Sequence, residues 1–395
     1  MQANREVVFL SAVRTAIGGY GGSLKDVPPA DLGALCVREA VKRAGIEANT
    51  VESCVVGNVL RSEARDVYIS RLVAIGGGLD IASHAVTVNR LCGSGLEAIV
   101  NATQQIQTGE VTTAVAGGCE SMSRATYSMK SNRWGQRMGN SEIEDDMSIA
   151  LHDPFGTGHM GVTAENLSEK FAISREEQDK LAETSHSRAI NAIEQGYFKE
   201  QIVPVELKTR KGVTLFDTDE HPRKGTTAES ISTMKTIFKK DGTVTAANAS
   251  GINDAAAMTV LMERSAAEAQ GLKPIARVVS YARAGVEPSI MGIGPVPAVK
   301  LALQRAELTV ADLDVIESNE AFAAQACSVA KELNFPADKT NPNGGAVALG
   351  HPVGASGAIL ITKLIYELQR TKGRYGLATL CIGGGQGIAM VIEAL

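Results

Sequence analysis

The sequence predicts a layered α/β protein made of two copies of one strand-and-helix unit, with a segment of different texture inserted between them. Three observations carry this reading. Apolar, β-branched runs alternate with helical patterns across glycine loops. A stretch near the N-terminus resembles a later one without a gap. The length of 395 residues exceeds the size at which a single core usually stops growing.

Taken in order, Glu6 to Ala12 (EVVFLSA) reads as a buried strand that leaves into the glycine loop RTAIGGYGGS. From Ala30, the apolar residues Leu32, Leu35, Cys36, Ala40 and Val41 fall at helical spacing, and Gly45 stands where a glycine caps a helix. VESCVVGNVL is the next strand. In NRLCGSGLEAIVNATQQIQTG, Leu96, Ile99, Val100, Thr103 and Ile106 mark an amphipathic helix ended by Gly109. AVKRAGIEANTVE (Ala40 to Glu52) resembles ALQRAELTVADLD (Ala302 to Asp314). LCGSGLEAIV followed by TTAVAGGCES, from Leu91 and Thr112, parallels VGASGAILIT followed by LATLCIGGGQ, from Val353 and Leu377. Strand and helix alternate in both copies, which predicts a largely parallel sheet in each. The stretch between them, Met122 to Gly251, reads as an inserted domain: it holds most histidines, the single Trp134 and a basic, polar run beginning KTRKG. Within it, Ser174 and Glu177 form an SxxE capping box, and the helix behind it runs to about Gly196.

Composition narrows the function. Apolar residues at 44% and charged residues at 21% are ordinary for a globular protein, while 40 glycines are somewhat more than average. A net charge of -5 is small for this length and argues against a nucleic-acid surface. The opening MQANREVVFLSAVRT is too short and too β-branched for a secretory core or a membrane span, and VIEAL carries no address signal. Six scattered cysteines without a CxxC pair fit neither a disulfide framework nor a zinc site. Reduced thiols in the cytoplasm are expected, with no membrane partner.

Several positions are candidates for chemistry. Cys92 stands at the start of its helix, where the macrodipole and free N–H groups favour a thiolate and predict a pKa below the usual value of about 8.5. A small buried cysteine that merely fills space is an equal alternative on the local pattern. His351, between Gly350 and Pro352, lies on a tight loop before a helix that begins at the GASGA step; its own neighbourhood favours a plain exposed turn residue. Cys381 ends an apolar strand at a glycine turn, the edge where ligands bind in open α/β sheets. GGGQG lacks the Lys and Ser/Thr of a phosphate loop, so nucleotide binding there is rejected. Asn319 and Glu320 lie between a strand and a helix, where Asn319 is placed to cap the helix. His159 and Ser250 sit in loops where polar residues are common. No spacing matches a metal motif, so no metal is expected.

Together, NRLCGSG, SNEAFAAQ, GGAVALGHPVGASGA and CIGGGQG, in this order, resemble the thiolase family. SAVRTAIG, GCESMS, HMGVTAEN and ANASGINDAAA extend the resemblance over nearly the whole chain. It implies the thiolase fold: two βαβαβαββ halves in a five-layered α/β/α/β/α sandwich with an inserted loop domain. The implied division is 1–121 with 252–273, then 122–251, then 274–395. It further implies that Cys92 is the acyl-carrying nucleophile, His351 its general base and Cys381 a second acid/base. One oxyanion hole would comprise His351 and a water held by Asn319, the other the N–H groups of Cys92 and Gly383.

The resemblance also implies a coenzyme A site in the insert. Arg223 and Ser230 would lie toward the nucleotide and Ser250 at the pantetheine, with His159, Met160, Met291 and Phe322 around the thioester and Leu151 and Phe238 among the further residues that bind coenzyme A or substrate. No cofactor is held permanently; coenzyme A and acetyl-CoA are substrates. Members with a similar insert assemble tetramers through parts of it, so a homotetramer, a dimer of dimers, is expected, with KTRKG and SRATYSMK as segments for assembly. The implied activity is acetyl-CoA C-acetyltransferase, with a broader 3-ketoacyl-CoA thiolase as alternative because ALHDPFGTGHMG looks closer to β-ketothiolases that take longer chains. A condensing ketoacyl synthase is disfavoured by the Cys381 motif. A lipid carrier without chemistry is disfavoured because all four catalytic positions are filled.

Overall fold

The computed structural model describes residues 5–210 and 212–395, so the first four residues and Lys211 of the KTRKG run lie outside it. The main sheet is built from β1 (Val7–Arg14), β2 (Ser53–Gly57), β3 (His84–Val88), β4 (Thr113–Ser121), β5 (Asn253–Glu263), β6 (Ala276–Gly285), β7 (Val315–Ser318), β8 (Tyr375–Ile382) and β9 (Gln386–Ala394). The strand path is β7-β8-β9-β6-β1-β5-β4-β2-β3, with the short strand Gly18–Gly19 pairing to β5. The two halves of the path meet where Val8 and Phe9 pair with Arg277 and Ala276.

Helices occupy three layers around the strands. α1 (Pro29–Ala44) packs on β5 and β1 at one outer face, and α5 (Pro295–Ala306) packs on β6 and β9 at the other. Between them, α2 (Ser94–Thr108) and α7 (Ser356–Thr371) pack on each other, α2 against β4 and β2 and α7 against β8 and β7. This is the five-layered arrangement that the sequence implied. Each central helix is buried on nearly every side, which explains the all-round apolar run of Ala358, Ile359, Leu360, Ile361, Leu364 and Ile365 in α7.

The repeat holds at the level of single residues. α1 ends at Ala44 and α5 at Ala306, each followed by a left-handed residue, Gly45 (φ 70) or Glu307 (φ 56). Each then makes a short turn and enters a strand, β2 or β7. α2 and α7 begin at the matching residues Ser94 and Ser356. Two expectations change. The sheet is mixed: β2 pairs parallel with β3 and β4, and β7 with β8, but β5 and β9 return antiparallel beside β4 and β8. The double glycines do not correspond either. Val56 is level with Gly117 as Ser318 is level with Thr379, so Cys119 matches Cys381. Gly117 and Gly118 lie within β4, where a Cβ would stand 2.0 Å from Ala257 O and 2.1 Å from Gly354 O. They serve close packing, whereas Gly384 (φ 80) and Gly385 (φ 86) serve the turn between β8 and β9.

The segment from Met122 to Gly251 contributes α3 (Met160–Phe171), α4 (Arg175–Glu194) and three short antiparallel pairs. The capping box at Ser174 and Glu177 is present, with both hydrogen bonds made. Arg14 at the end of β1 ties this segment down: fully buried, it donates to Asp219 at 2.7 and 2.9 Å and to Gln201 at 2.8 Å. Breaking such a buried pair by removing one partner costs about 3–5 kcal/mol.

Candidate active site

Cys92 precedes the helix cap Gly93, so its sulfur stands just outside the first turn of α2. The preceding Leu91 is held in a left-handed conformation (φ 47). Its N–H donates to Asn89 Oδ1 at 3.0 Å, and its carbonyl accepts from Ser94 Oγ at 2.7 Å. This strained corner turns the thiol into an apolar pocket of about 60 Å³, with Val59, Leu60, Met160, Phe322, His351 and Gly383 among its walls. The expected low pKa is not found. Burial pushes the thiol up to about 11, against the opposing pull of the Gly383 and Cys92 N–H groups that hydrogen-bond to the sulfur. Cys92 therefore rests as a thiol and needs a base.

His351 lines the same pocket as Cys92. Far from being an exposed turn residue, it is buried, and burial lowers its pKa to about 4, leaving the imidazole neutral. Nδ1 lies 2.6 Å from Ser356 Oγ, whose own proton is committed to Pro352 O at 2.9 Å. The ring therefore carries its proton on Nδ1 and presents the Nε2 lone pair to the pocket. Asn319 Nδ2 stands 3.4 Å from Nε2. Asn319 does not cap the following helix: α6 (Ala323–Leu333) starts later, with Phe322 at its cap position. The His351 N–H donates to Asn253 Oδ1 at 2.9 Å, and Asn253 Nδ2 donates to Gly18 O at 2.9 Å.

Cys381 is fully buried in β8 and packs with Met160, Met291, Ala321 and Phe322. Burial, then the neighbouring Cys92, raises its pKa. Gly383 follows at the turn, where a Cβ would approach Leu91 Cδ1 to 3.1 Å and Met160 Cε to 3.3 Å. Its N–H and that of Cys92 both hydrogen-bond to the sulfur and favour its thiolate.

A groove of about 700 Å³ leads out from His351 past Phe322, Ser250, Leu151, His159 and Phe238 to His221 and Arg223. Its walls are set by packing. Phe238 stacks on His159 (4.5 Å between ring centres), which is possible because position 161 is glycine: a Cβ there would lie 2.2 Å from the ring. His159 Nδ1 accepts from the Gly161 N–H at 3.0 Å and so caps α3. Ser250 is placed by its N–H donating to Ala321 O at 3.0 Å. Met160 and Met291 line the inner pocket, not the groove. Ser230 is not brought to the groove: it is exposed on the short helix Ala228–Ile231, with its hydroxyl bonded to Thr227.

Sequence reasoning missed Ser356, Asn253 and Glu120. Ser356 lies in the GASGA step, five residues after His351 and at the first position of its helix, but nothing in that step points to the histidine. For Asn253, which reaches across from the start of β5, no local signal exists. Among the described residues, no group of three or more His, Cys, Asp or Glu side chains is gathered as metal ligands are, and no helix is long and apolar enough to cross a membrane.

The chain that carries this pocket, with Cys92 and a neutral His351 in its walls, matches known proteins over nearly its full length. The family model described as thiolase, N-terminal domain, covers residues 7–265, and that for thiolase, C-terminal domain, covers 272–394. The chain belongs to the thiolase family. The β-ketothiolase BktB of Cupriavidus necator is 58% identical to this thiolase over 99% of the chain and 100% of its own. The acetyl-CoA acetyltransferase of Escherichia coli is 48% identical over the same shares of each chain. Among solved structures, the Bacillus anthracis acetyl-CoA acetyltransferase superposes with a TM-score of 0.98 at 46% identity, covering 100% of both chains. A human mitochondrial 3-ketoacyl-CoA thiolase in complex with CoA superposes at 0.96 and 43% identity, covering 99% of this chain and 98% of that one.

Proposed function

We propose that this thiolase is an acetyl-CoA C-acetyltransferase that condenses two acetyl-CoA into acetoacetyl-CoA and CoA, and catalyses the reverse cleavage, through an acyl group on Cys92. The observation that carries the reading is the neutral His351, locked with its Nε2 lone pair toward a pocket lined by Cys92, with Cys381 packed in the cluster of Met160, Met291 and Phe322 that forms its inner wall.

In this reading His351 Nε2 takes the Cys92 proton, and the thiolate attacks the acetyl-CoA carbonyl. The oxyanion sits between the N–H groups of Cys92 and Gly383. CoA leaves as a thiolate and takes its proton from Cys381. The Cys381 thiolate then removes the α-proton of a second acetyl-CoA, whose enolate oxygen is held by His351 and by a water on Asn319. The carbanion attacks the acyl group, and Cys92 leaves and recovers its proton from His351. Both cysteines and the histidine end as they began. Coenzyme A would lie in the groove, its pantetheine past Ser250 and its nucleotide toward Arg223; this segment, 122–251, is the unit we assign to binding, between halves formed by 1–121 with 252–273 and by 274–395. The assignment of Ser230 to the nucleotide draws no support from its side chain.

The test is the enolate absorbance of acetoacetyl-CoA as free CoA is added. Loss of absorbance in proportion to enzyme is expected; an unchanged signal ends the reading. A broader chain-length range is the second reading, favoured by the 58% identity to a β-ketothiolase and by the apolar walls Leu91, Met160, Met291 and Phe322. Comparing kcat/KM on four-, five- and six-carbon 3-ketoacyl-CoAs decides between them. Assembly as a tetramer in the cytoplasm completes the proposal. The unpaired edge of β3, with Val86 exposed, and the exposed Trp134, Met138 and Ile143 are surfaces that further copies of the chain would cover.

A further inference from the structure

Glu120 stands at the end of β4, next to Cys119, and its side chain is wholly buried. Two segments converge on it. From the first half, Asn58 Nδ2 and the Leu60 N–H donate to Oε1, and the Val59 N–H to Oε2, each at 3.1 Å. From the second half, the Gly354 N–H donates to Oε2 at 2.8 Å. This approach is possible only for glycine, since a Cβ at 354 would lie 2.5 Å from that oxygen. All four partners are donors, which suits a carboxylate, but burial outweighs them and raises the Glu120 pKa to about 8, so the group takes its charge only as pH rises through that value. The residues so held are the walls of the reaction site: Val59, Leu60 and Val353 pack directly around Cys92. Gly354 lies in the short link between His351 and Ser356.

We propose that Glu120 is a positioning residue for acyl transfer: its carboxyl group clamps the Asn58–Leu60 turn of one half to the His351–Ser356 link of the other, fixing the base relative to Cys92. The inference rests on the proposed role of Cys92 and deepens it. Glu120 does not touch the substrate; it acts through the backbone it holds. Burial is the main cause that keeps Cys92 protonated, and above about pH 8, where Glu120 is ionised, its charge adds to that effect. The titratable groups facing Cys92 are His351, Cys381 and Glu120, and Asp254 faces Glu120 from β5.

Two variants of the full-length protein separate clamp from charge. Glu120→Gln keeps the size and removes the charge, while Glu120→Asp keeps the charge and shortens the reach. Both are expected to lose about a hundredfold in kcat, the effect of misplacing reacting groups by about 1 Å, with KM for acetoacetyl-CoA unchanged within about threefold. The pH dependence of Cys92 labelling by iodoacetamide, read by mass spectrometry, gives the second arm. Its midpoint should move to lower pH in Glu120→Gln, with labelling about threefold faster at pH 8, and stay in place in Glu120→Asp. Wild-type kcat in either variant overturns the proposal. So does an unmoved labelling midpoint in Glu120→Gln, or failure of both variants to fold, which would make Glu120 a requirement of the fold alone. An inactive wild-type enzyme would instead sink the acyl-transfer reading, and the labelling arm would still report on the clamp's charge.

Discussion

The two halves of this thiolase share one scaffold but use different positions of it. Where the first half has Cys92, the second has Gly354; where the second has His351, the first has Asn89; and Cys381 is matched by Cys119. Cys119 and Cys381 are both wholly buried at the end of equivalent strands. Cys119 faces the outer helix layer, with its sulfur 3.3 Å from where a Cβ on Gly33 would stand, whereas Cys381 packs on the pocket residues Met160 and Phe322. Duplication supplied paired places at the strand ends and helix starts. In the proposed mechanism, which of them is reactive follows from what each copy faces, and each half contributes to the site.

The sharpest way to break this comparison is to remove the matched sulfurs in turn. Cys381→Ala should lower the condensation kcat by about 10³-fold or more while leaving some trapping of labelled acyl-enzyme. Cys119→Ala should leave kcat within about threefold and cost only stability, read from the thermal midpoint. Equal losses in both would mean that burial, not facing, assigns the chemistry. A second, smaller effect is expected at the matched serines. Ser356→Ala releases the proton on Nδ1 from its acceptor and should cost about tenfold to a hundredfold in kcat, because the ring can then present the wrong nitrogen. KM should hold, and an unchanged kcat would show that the ring needs no lock.

The smallest effect is on stability against pH. His351 has a folded pKa of about 4, below the ordinary 6.5, so below pH 6.5 the unfolded chain takes up the proton first. Its contribution is fully present above pH 6.5 and is lost as pH falls toward 4, amounting to about 2 kcal/mol between pH 7 and pH 5. A His351→Gln variant should therefore lose less of its thermal midpoint over that interval than the wild type. Parallel losses in the two would place the titration elsewhere.

Much of this was legible in the sequence because it was local. Gly45, Gly109 and the Ser174–Glu177 box mark helix ends by rules that need only neighbouring residues, and all three act as expected. The repeat was visible in Ala40 to Glu52, yet its glycines misled: TTAVAGGCES was set against LATLCIGGGQ by its double glycine, but Gly117 and Gly118 exist for contacts with Ala257 and Gly354, far away in sequence. The protonation states were also beyond local reading. The helix start at Cys92 argued for a thiolate, but the surrounding protein outweighs it. Similarly, His351 read as an exposed turn because nothing adjacent reveals that Asn253, Asn319 and Ser356 close around it.

The contact between Gly118 and Gly354 bears on how such a chain can diverge. It is backbone against backbone, and Gly57 and Gly95 continue it, with a Cβ on Gly57 falling 2.6 Å from the Ser94 carbonyl carbon and one on Gly95 2.9 Å from Gly354 O. Between Gly118, Gly57, Gly95 and their nearest neighbours it is backbone that meets, with no side chain to shrink or turn in answer to a change on the other side. The halves began as interchangeable copies, but along this line neither can drift without the other. Hybrids that join halves from different relatives should keep their activity only where all four glycines are inherited together.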